Sequence, residues 1–159
     1  MPIRPARFLV LLLASLALSA PALSAEQHLL LDTWSVDVST VRQPNPPKSV
    51  TLTLTDAADG NYRIKVDIEG TDGTVMHAAS TFKPGGLATK VQGSSPDVDV
   101  AWMEMPNKRT LVMGAGAGGQ PASTRVWTLS DDGKQMIETV VRHQPDGTPY
   151  TRVFTWLRK

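Results

Sequence analysis

Cysteine is absent from all 159 residues, so disulfides contribute nothing and burial with strand pairing must supply the stability. The same absence excludes a lipid-modified cysteine behind the leader and deprives any zinc site of thiolate ligands. No sign of charge dominates, with 16 Lys and Arg against 15 Asp and Glu. Nothing therefore draws the chain to nucleic acid or to an anionic membrane surface. Beyond the N-terminal segment no apolar run approaches the roughly 20 residues of a membrane span, so no integral membrane segment is expected in the mature chain. No helical stretch separates the apolar runs that remain.

What is present begins with a leader. Arg4 and Arg7 form a positive region, residues 8–18 an apolar core, and small residues follow. This is the layout of a cleavable signal peptide over 1–25, with the cut site left open between Ala20-Pro21-Ala22, Ala22-Leu23-Ser24 and Ala25. Ala and Arg-Pro in the leader point to a bacterial source, hence periplasm or medium. Cleavage after 25 leaves residues 26–159 as one domain with a sizeable core. Losing Arg4 and Arg7 takes Lys and Arg from 16 to 14 against 15 acidic residues, a net charge near −1.

Four Asp-Gly dipeptides punctuate that domain: Asp59-Gly60, Asp72-Gly73, Asp132-Gly133 and Asp146-Gly147. Asp-Gly tolerates positive φ, which two-residue hairpin turns require. Between the turns apolar and polar residues alternate. Val50, Leu52 and Leu54 interleave with threonines, and Tyr62, Ile64, Val66 and Ile68 oppose Arg63, Lys65, Asp67 and Glu69. Period two places one face in a core and one in water. Strands are expected at 30–39, 50–55, 62–69, 75–82, 87–92, 98–105, 110–113, 123–129, 135–143 and 150–157. Pro44, Pro46 and Pro47 keep 42–49 out of helix and ladder alike. About ten strands in a meander predict an all-β, up-and-down antiparallel barrel, because closure removes the edges. A two-sheet β-sandwich is the alternative.

Asp32-Thr33-Trp34-Ser35-Val36 resembles the first-strand signature of the calycin group, lipocalins and fatty-acid-binding proteins, in which a tryptophan plugs one end of the barrel. Asp32 stands where that signature has glycine. Thr151-Arg152-Val153-Phe154 resembles the last strand of fatty-acid-binding proteins, where Arg-x-Tyr holds a carboxylate, with Phe154 in place of the tyrosine. The helical lid of those proteins and the C-terminal helix of lipocalins have no counterpart. Pro46-Pro47-Lys48-Ser49 and the repeated Asp-Gly turns also resemble small exported bacterial proteins described as lipocalin-like. The resemblance implies a calycin barrel; it does not fix a function.

Gly114-Ala115-Gly116-Ala117-Gly118-Gly119 fits G-x-G-x-x-G, but strand-like sequence follows instead of the helix that a pyrophosphate needs. It reads as a hairpin loop. His28, His77 and His143 lack metal-ligand spacing, and no metal or other cofactor is expected. His77 and His143 lie mid-strand, where they would have to face each other across a barrel. There is no Gly-x-Ser-x-Gly, and Glu104 and Glu138 are single carboxylates in strands, so no enzyme is expected. Nothing identifies a protein partner.

Trp102, Met103, Met105, Met113, Trp127, Met136 and Trp156 suit either a cavity wall or a packed core. Arg125, Arg142 and Arg152 interrupt apolar strands. Arg152 shares its parity with Phe154 and Trp156, and either that parity or the Val153/Leu157 parity faces inward. The candidate ligand-binding residues are Trp102, Trp127, Arg142, Arg152, Phe154 and Trp156. The expected function is binding of a small apolar or fatty-acid-like ligand, with Arg142 or Arg152 pairing any acid group. The alternative is a filled, ligand-free barrel acting through its surface loops. Cavity volume separates the two.

Overall fold

The computed structural model describes residues 29–95, 98–144 and 146–159; the leader expected over 1–25, and His28, lie outside them. Eleven strands follow in order: β1 (Asp32–Val36), β2 (Ser49–Asp56), β3 (Tyr62–Glu69), β4 (Val75–Phe82), β5 (Thr89–Lys90), β6 (Gln92–Gly93), β7 (Val100–Asn107), β8 (Thr110–Ala117), β9 (Gln120–Leu129), β10 (Gln135–His143) and β11 (Pro149–Arg158). All pairs are antiparallel, in one sheet of order β5-β7-β8-β9-β10-β11-β1-β2-β3-β4-β6. The fold is the all-β meander that the alternation dictates, a nearly closed barrel and not a sandwich. A single turn of 3-10 helix, Val38–Thr40, is the helical element among the described residues.

The first and last strands meet, with Trp34 opposite Arg158 and Val36 opposite Trp156. The sheet's two edges therefore fall inside the chain, between β4 and β7. The composition of 87–92 predicts one strand; instead the segment divides around Val91. Thr89 and Lys90 pair with Ala101 and Val100, whereas Gln92 and Gly93 pair with Ala79 and Ala78. A handful of residues thus staples a seam that β4 and β7 do not close themselves. The Ser80 and Thr89 hydroxyls, 2.7 Å apart, join across it.

At Asp59-Gly60 both residues take the expected positive φ and the Asn61 N–H bonds the Ala58 carbonyl at 2.8 Å, but the other three Asp-Gly turns form hairpins by a different geometry. In these only the glycine has positive φ, and its N–H bonds three residues back: Gly73 to Gly70, Gly133 to Ser130, Gly147 to Gln144. This is a type I turn followed by a left-handed glycine, the usual three-residue hairpin loop. The aspartate accepts from the N–H two residues on, at Thr74, Lys134 and Thr148 respectively. A two-residue mirror turn occurs also at Gly118-Gly119, both at positive φ, between the paired Ala117 and Gln120. The glycine-rich stretch is consequently mostly strand, because Gly114 to Ala117 continue β8.

Inward side chains divide the barrel into two halves. Leu30, Trp34, Leu54, Phe82, Met105, Leu111, Leu129 and Met136 are buried and fill one end. Trp34 is fully buried, and its indole N–H donates to the Leu30 carbonyl at 2.9 Å. Arg158 lies across its ring at 4.4 Å and donates to Asp32 (2.7 Å), the Gly133 carbonyl (2.7 Å) and the Leu29 carbonyl (2.8 Å). One guanidinium thereby ties the start of the domain, the β9–β10 turn and the last strand over the tryptophan plug.

Two outcomes follow from these contacts. Arg158→Ala is expected to lower the unfolding free energy by about 2–3 kcal/mol, with Arg158→Lys recovering less than half of it, since an ammonium cannot both stack and reach three acceptors. Urea denaturation checks this, and equal stability of the lysine variant would refute it. The second concerns pH. Hydrogen bonds hold the turn carboxyls below their ordinary value, from the Thr74 hydroxyl and N–H for Asp72, the Ser130 hydroxyl then the Lys134 N–H for Asp132, and the Thr148 N–H for Asp146. A depressed folded value stabilises above the unfolded pKa, and that contribution is lost as pH falls through the folded value. The urea midpoint should therefore fall between about pH 5 and pH 2, and replacing all three with Asn should flatten that fall.

Candidate functional site

The other half of the barrel is hollow. A cavity of about 710 Å³ occupies it, within the range of small-molecule sites. Its wall follows from period two. Val36, Leu52, Ile64, Val66, Ala101, Met103, Val140 and Trp156 line it from the inner faces of the strands. These side chains face a space that the lining leaves unfilled. Alternation alone does not separate that condition from a filled core.

The mouth is built from connections. Loop 41–48 crosses it, placing Val41, Gln43, Asn45, Pro46 and Pro47 on the lining, and the turn after β3 adds Thr71, Asp72 and Thr74. The prolines that forbid a lid helix leave an extended strap instead. Arg152 donates to Gln43 Oε1 at 2.8 Å, fastening the strap to β11, and stacks on Tyr150 at 5.5 Å.

One buried polar network stands inside. Glu138, 1% exposed, receives Arg125 Nη1 at 2.7 Å on one oxygen and the Trp156 indole N–H at 2.9 Å on the other. Charge on a buried carboxylate is tolerable only with this kind of pairing. Donors remain beside it. The Trp127 indole N–H and the Arg125 Nε–H are buried and have no acceptor among the described residues. Both residues line the cavity from β9, two positions apart.

Five of the six candidate residues line this cavity: Trp127, Arg142, Arg152, Phe154 and Trp156. The parity of β11 is settled by Trp156 being buried while Val153 is 59% exposed. Arg152 accordingly shares its face with the aromatics but sits at the exposed mouth, and half-buried Arg142 lines the wall from β10. Trp102 does not belong with them. It is 41% exposed on the outer face of β7, over Gly114, where any side chain would run into its indole. The parity was legible: Trp102 alternates with Met103, and period two sends neighbours to opposite faces.

Arg125 and Glu138 form a site that the sequence reading does not single out. The register sets Glu138 opposite Trp127 on the neighbouring strand, and burial marks that face as inward. His77 and His143 are not brought together. His77 faces outward against Asp67, whose carboxyl burial would raise but which hydrogen bonds from Lys65 and His77 hold below its ordinary value. His143 is exposed at the end of β10, and neither histidine lines the cavity. Among the described residues no cluster of three or more metal-ligating side chains occurs.

No protein-family model matches the chain, and no curated protein matches it in sequence. Solved structures do resemble it. The fluorescent protein UnaG, a calycin barrel of the fatty-acid-binding-protein group, superposes with a TM-score of 0.56 at 14% identity, covering 82% of this chain and 97% of that one. An asparagine-to-alanine variant of the same protein gives 0.57 at 14% identity over 82% of this chain and 96% of that one. At that identity the likeness is one of fold: the chain shares an antiparallel β-barrel with UnaG.

Proposed function

We propose that this chain is an exported binding protein that carries or senses a small, mainly apolar ligand in the hollow half of its barrel. One observation carries the reading: the interior holds a connected, apolar-lined space of about 710 Å³ where a ligand-free module would be packed. A void of that size forfeits dispersion contacts that larger side chains would supply, so it is a cost to folding unless it is used. The likeness in fold to UnaG is in keeping with a ligand-binding barrel. The leader-like residues 1–25 support export to the periplasm or the medium.

Binding would bury the apolar part of the ligand against Met103, Val140, Phe154 and Trp156, while the cations at the mouth, Arg142 and Arg152, receive any acid group. No step of bond making or breaking is assigned. The interior carboxylate is engaged by Arg125 and Trp156, and His77 and His143 lie outside the cavity.

Two measurements test this. The protein is expressed with its own leader, recovered without detergent, and weighed by native mass spectrometry before and after organic extraction. A discrete extra mass that extraction removes is the expected result. A bare mass, together with failure of any medium-chain acid to bind by calorimetry, would overturn the carrier reading. In the second, Arg152→Ala should weaken binding of dodecanoate by about tenfold while its methyl ester changes less than about twofold, the modest size reflecting the exposed position of the guanidinium. Equal losses for acid and ester would remove the arginine from the site.

A further inference from the structure

Charge on the last three strands is arranged the opposite way round from an ordinary half-solvated sheet. Arg125, Glu138, Arg142, Arg152 and Arg158 all stand at the inward parity of β9, β10 and β11. Among the described residues, none of the outward positions of those strands carries Asp, Glu, Lys or Arg. They hold mostly threonine and exposed aliphatic side chains instead. Val153 is 59% exposed, Ile137 43%, Leu157 38% and Val141 36%. The register gathers them. Thr139 faces Val126 on one side and Val153 on the other, Ile137 and Val141 flank it on its own strand, and Leu157 stands diagonally from Ile137. Diagonal neighbours on one sheet face are within reach of one another, so these side chains form one connected apolar surface.

Strand propensity does not account for it. Threonine suits a strand as well as valine or isoleucine and keeps a hydroxyl in water, as at Thr51, Thr53 and Thr55 on the outside of β2. β3 shows the ordinary arrangement, with Arg63, Lys65, Asp67 and Glu69 outward. Those charges also rule out a lipid belt around the barrel, which would have to enclose them. A connected apolar surface on one side of an otherwise charged molecule marks a contact with another macromolecule.

Charge and area set the occupant. A charged group pressed against the aliphatic centre would lose its water without gaining a counter-ion, so the partner must bring a surface equally free of charge. A second copy brings one by symmetry, and two uncharged sheet faces pack as the layers of a sandwich do. The flanking strands add to it, since the outward Thr110 and Val112 of β8 and Thr33 and Ser35 of β1 also lack charge. Five strands about 4.8 Å apart, each of about nine residues at about 3.3 Å, offer about 700 Å² per copy, near the roughly 800 Å² of a standard interface. We infer that the chain forms a two-fold dimer through the outer faces of β9, β10 and β11, with the axis near Val153. The wall curves, so the flanks meet less closely than the centre, and the expected dissociation constant is micromolar. The contact uses the outside of the barrel, so it goes beyond the carrier reading and is tested apart from it.

Sedimentation velocity on the unaltered protein should show monomer passing into dimer between about 1 and about 200 μM. Val153→Lys should remain monomeric at the upper concentration. Val75→Lys, at a similarly exposed valine outside β4, should leave the dimer intact. Mixing Val153→Lys with Val153→Glu should restore association, seen as the heterodimer in native mass spectrometry, because the two-fold sets the opposite charges together. A readout on the unaltered protein needs no variant: dilution should move the methyl resonances of Ile137 and leave those of Ile64, buried inside the barrel, in place.

A protein monomeric at about 200 μM overturns the dimer, including one that instead floats with phosphatidylglycerol vesicles and so uses the face for lipid. A dimer that survives Val153→Lys, or that Val75→Lys dissociates as well, overturns it equally. So does failure of the lysine and glutamate variants to pair when circular dichroism shows both folded.

Discussion

Arg158 lying across Trp34 is the contact on which the rest of this barrel depends. A meander closes only if its last strand finds its first, and that pairing is the most distant in sequence and the slowest to recover its loop-closure entropy. Here it is reinforced where it is weakest. The guanidinium covers the plug, pairs with Asp32 on the strand opposite, and donates to carbonyls of the segment before β1 and of the β9–β10 turn. Closure at this join moves the open seam to β4 and β7, where the short segment of β5 and β6 pairs with one strand on each side.

From that closed end the barrel is packed for half its depth and hollow for the rest. The packed half has the inventory of an ordinary core: leucines, a phenylalanine, methionines and the plug. The hollow half keeps the same strands and the same alternation, and its lining mixes small residues, Ala78, Ser80, Ala101 and valines, with Met103, Trp127, Phe154 and Trp156 around an unfilled space. The two halves therefore carry separate burdens. Side chains at the plug contribute contacts on all sides, whereas those on the cavity wall contribute them on one side only. Stability is concentrated in the first set, and the second set is freer to be chosen for what it faces.

Much of the fold is legible in the sequence because strand periodicity and turn chemistry are local. The alternation gives β3 and β4 with their bounds, and the Asp-Gly positions mark hairpins even though three of the four turns are type I with a left-handed glycine. Non-local facts are not legible. Arg158 looks like a solvated terminal charge until the register places it over Trp34. Residues 87–92 carry the composition of a strand, and only the seam explains why they divide. Glu138 looks like any strand carboxylate, since the alternation on β10 gives no sign that its face is inward. For the aromatic residues, parity decides the face and is available for Trp102; whether an inward face meets a wall or a void depends on the far side of the barrel, which no single strand records.

The Arg125–Glu138 pair, with its carboxylate buried and its arginine partly exposed, is best understood against that void. An ion pair in a sealed core seldom outcompetes apolar residues of the same volume, because desolvating two charges offsets their attraction. Next to a cavity the comparison changes, since an apolar replacement would leave the same space lined by carbon alone. The pair gives the wall a polar group whose net charge is zero. Arg142 and Arg152, on β10 and β11, then set the positive charge of the mouth apart from this neutral interior. A barrel that needed only a greasy interior would place no charge at Glu138; one that needed to anchor an acid at depth would place the arginine there without the glutamate. The observed combination keeps the cations Arg142 and Arg152 toward the mouth and compensated charge inside.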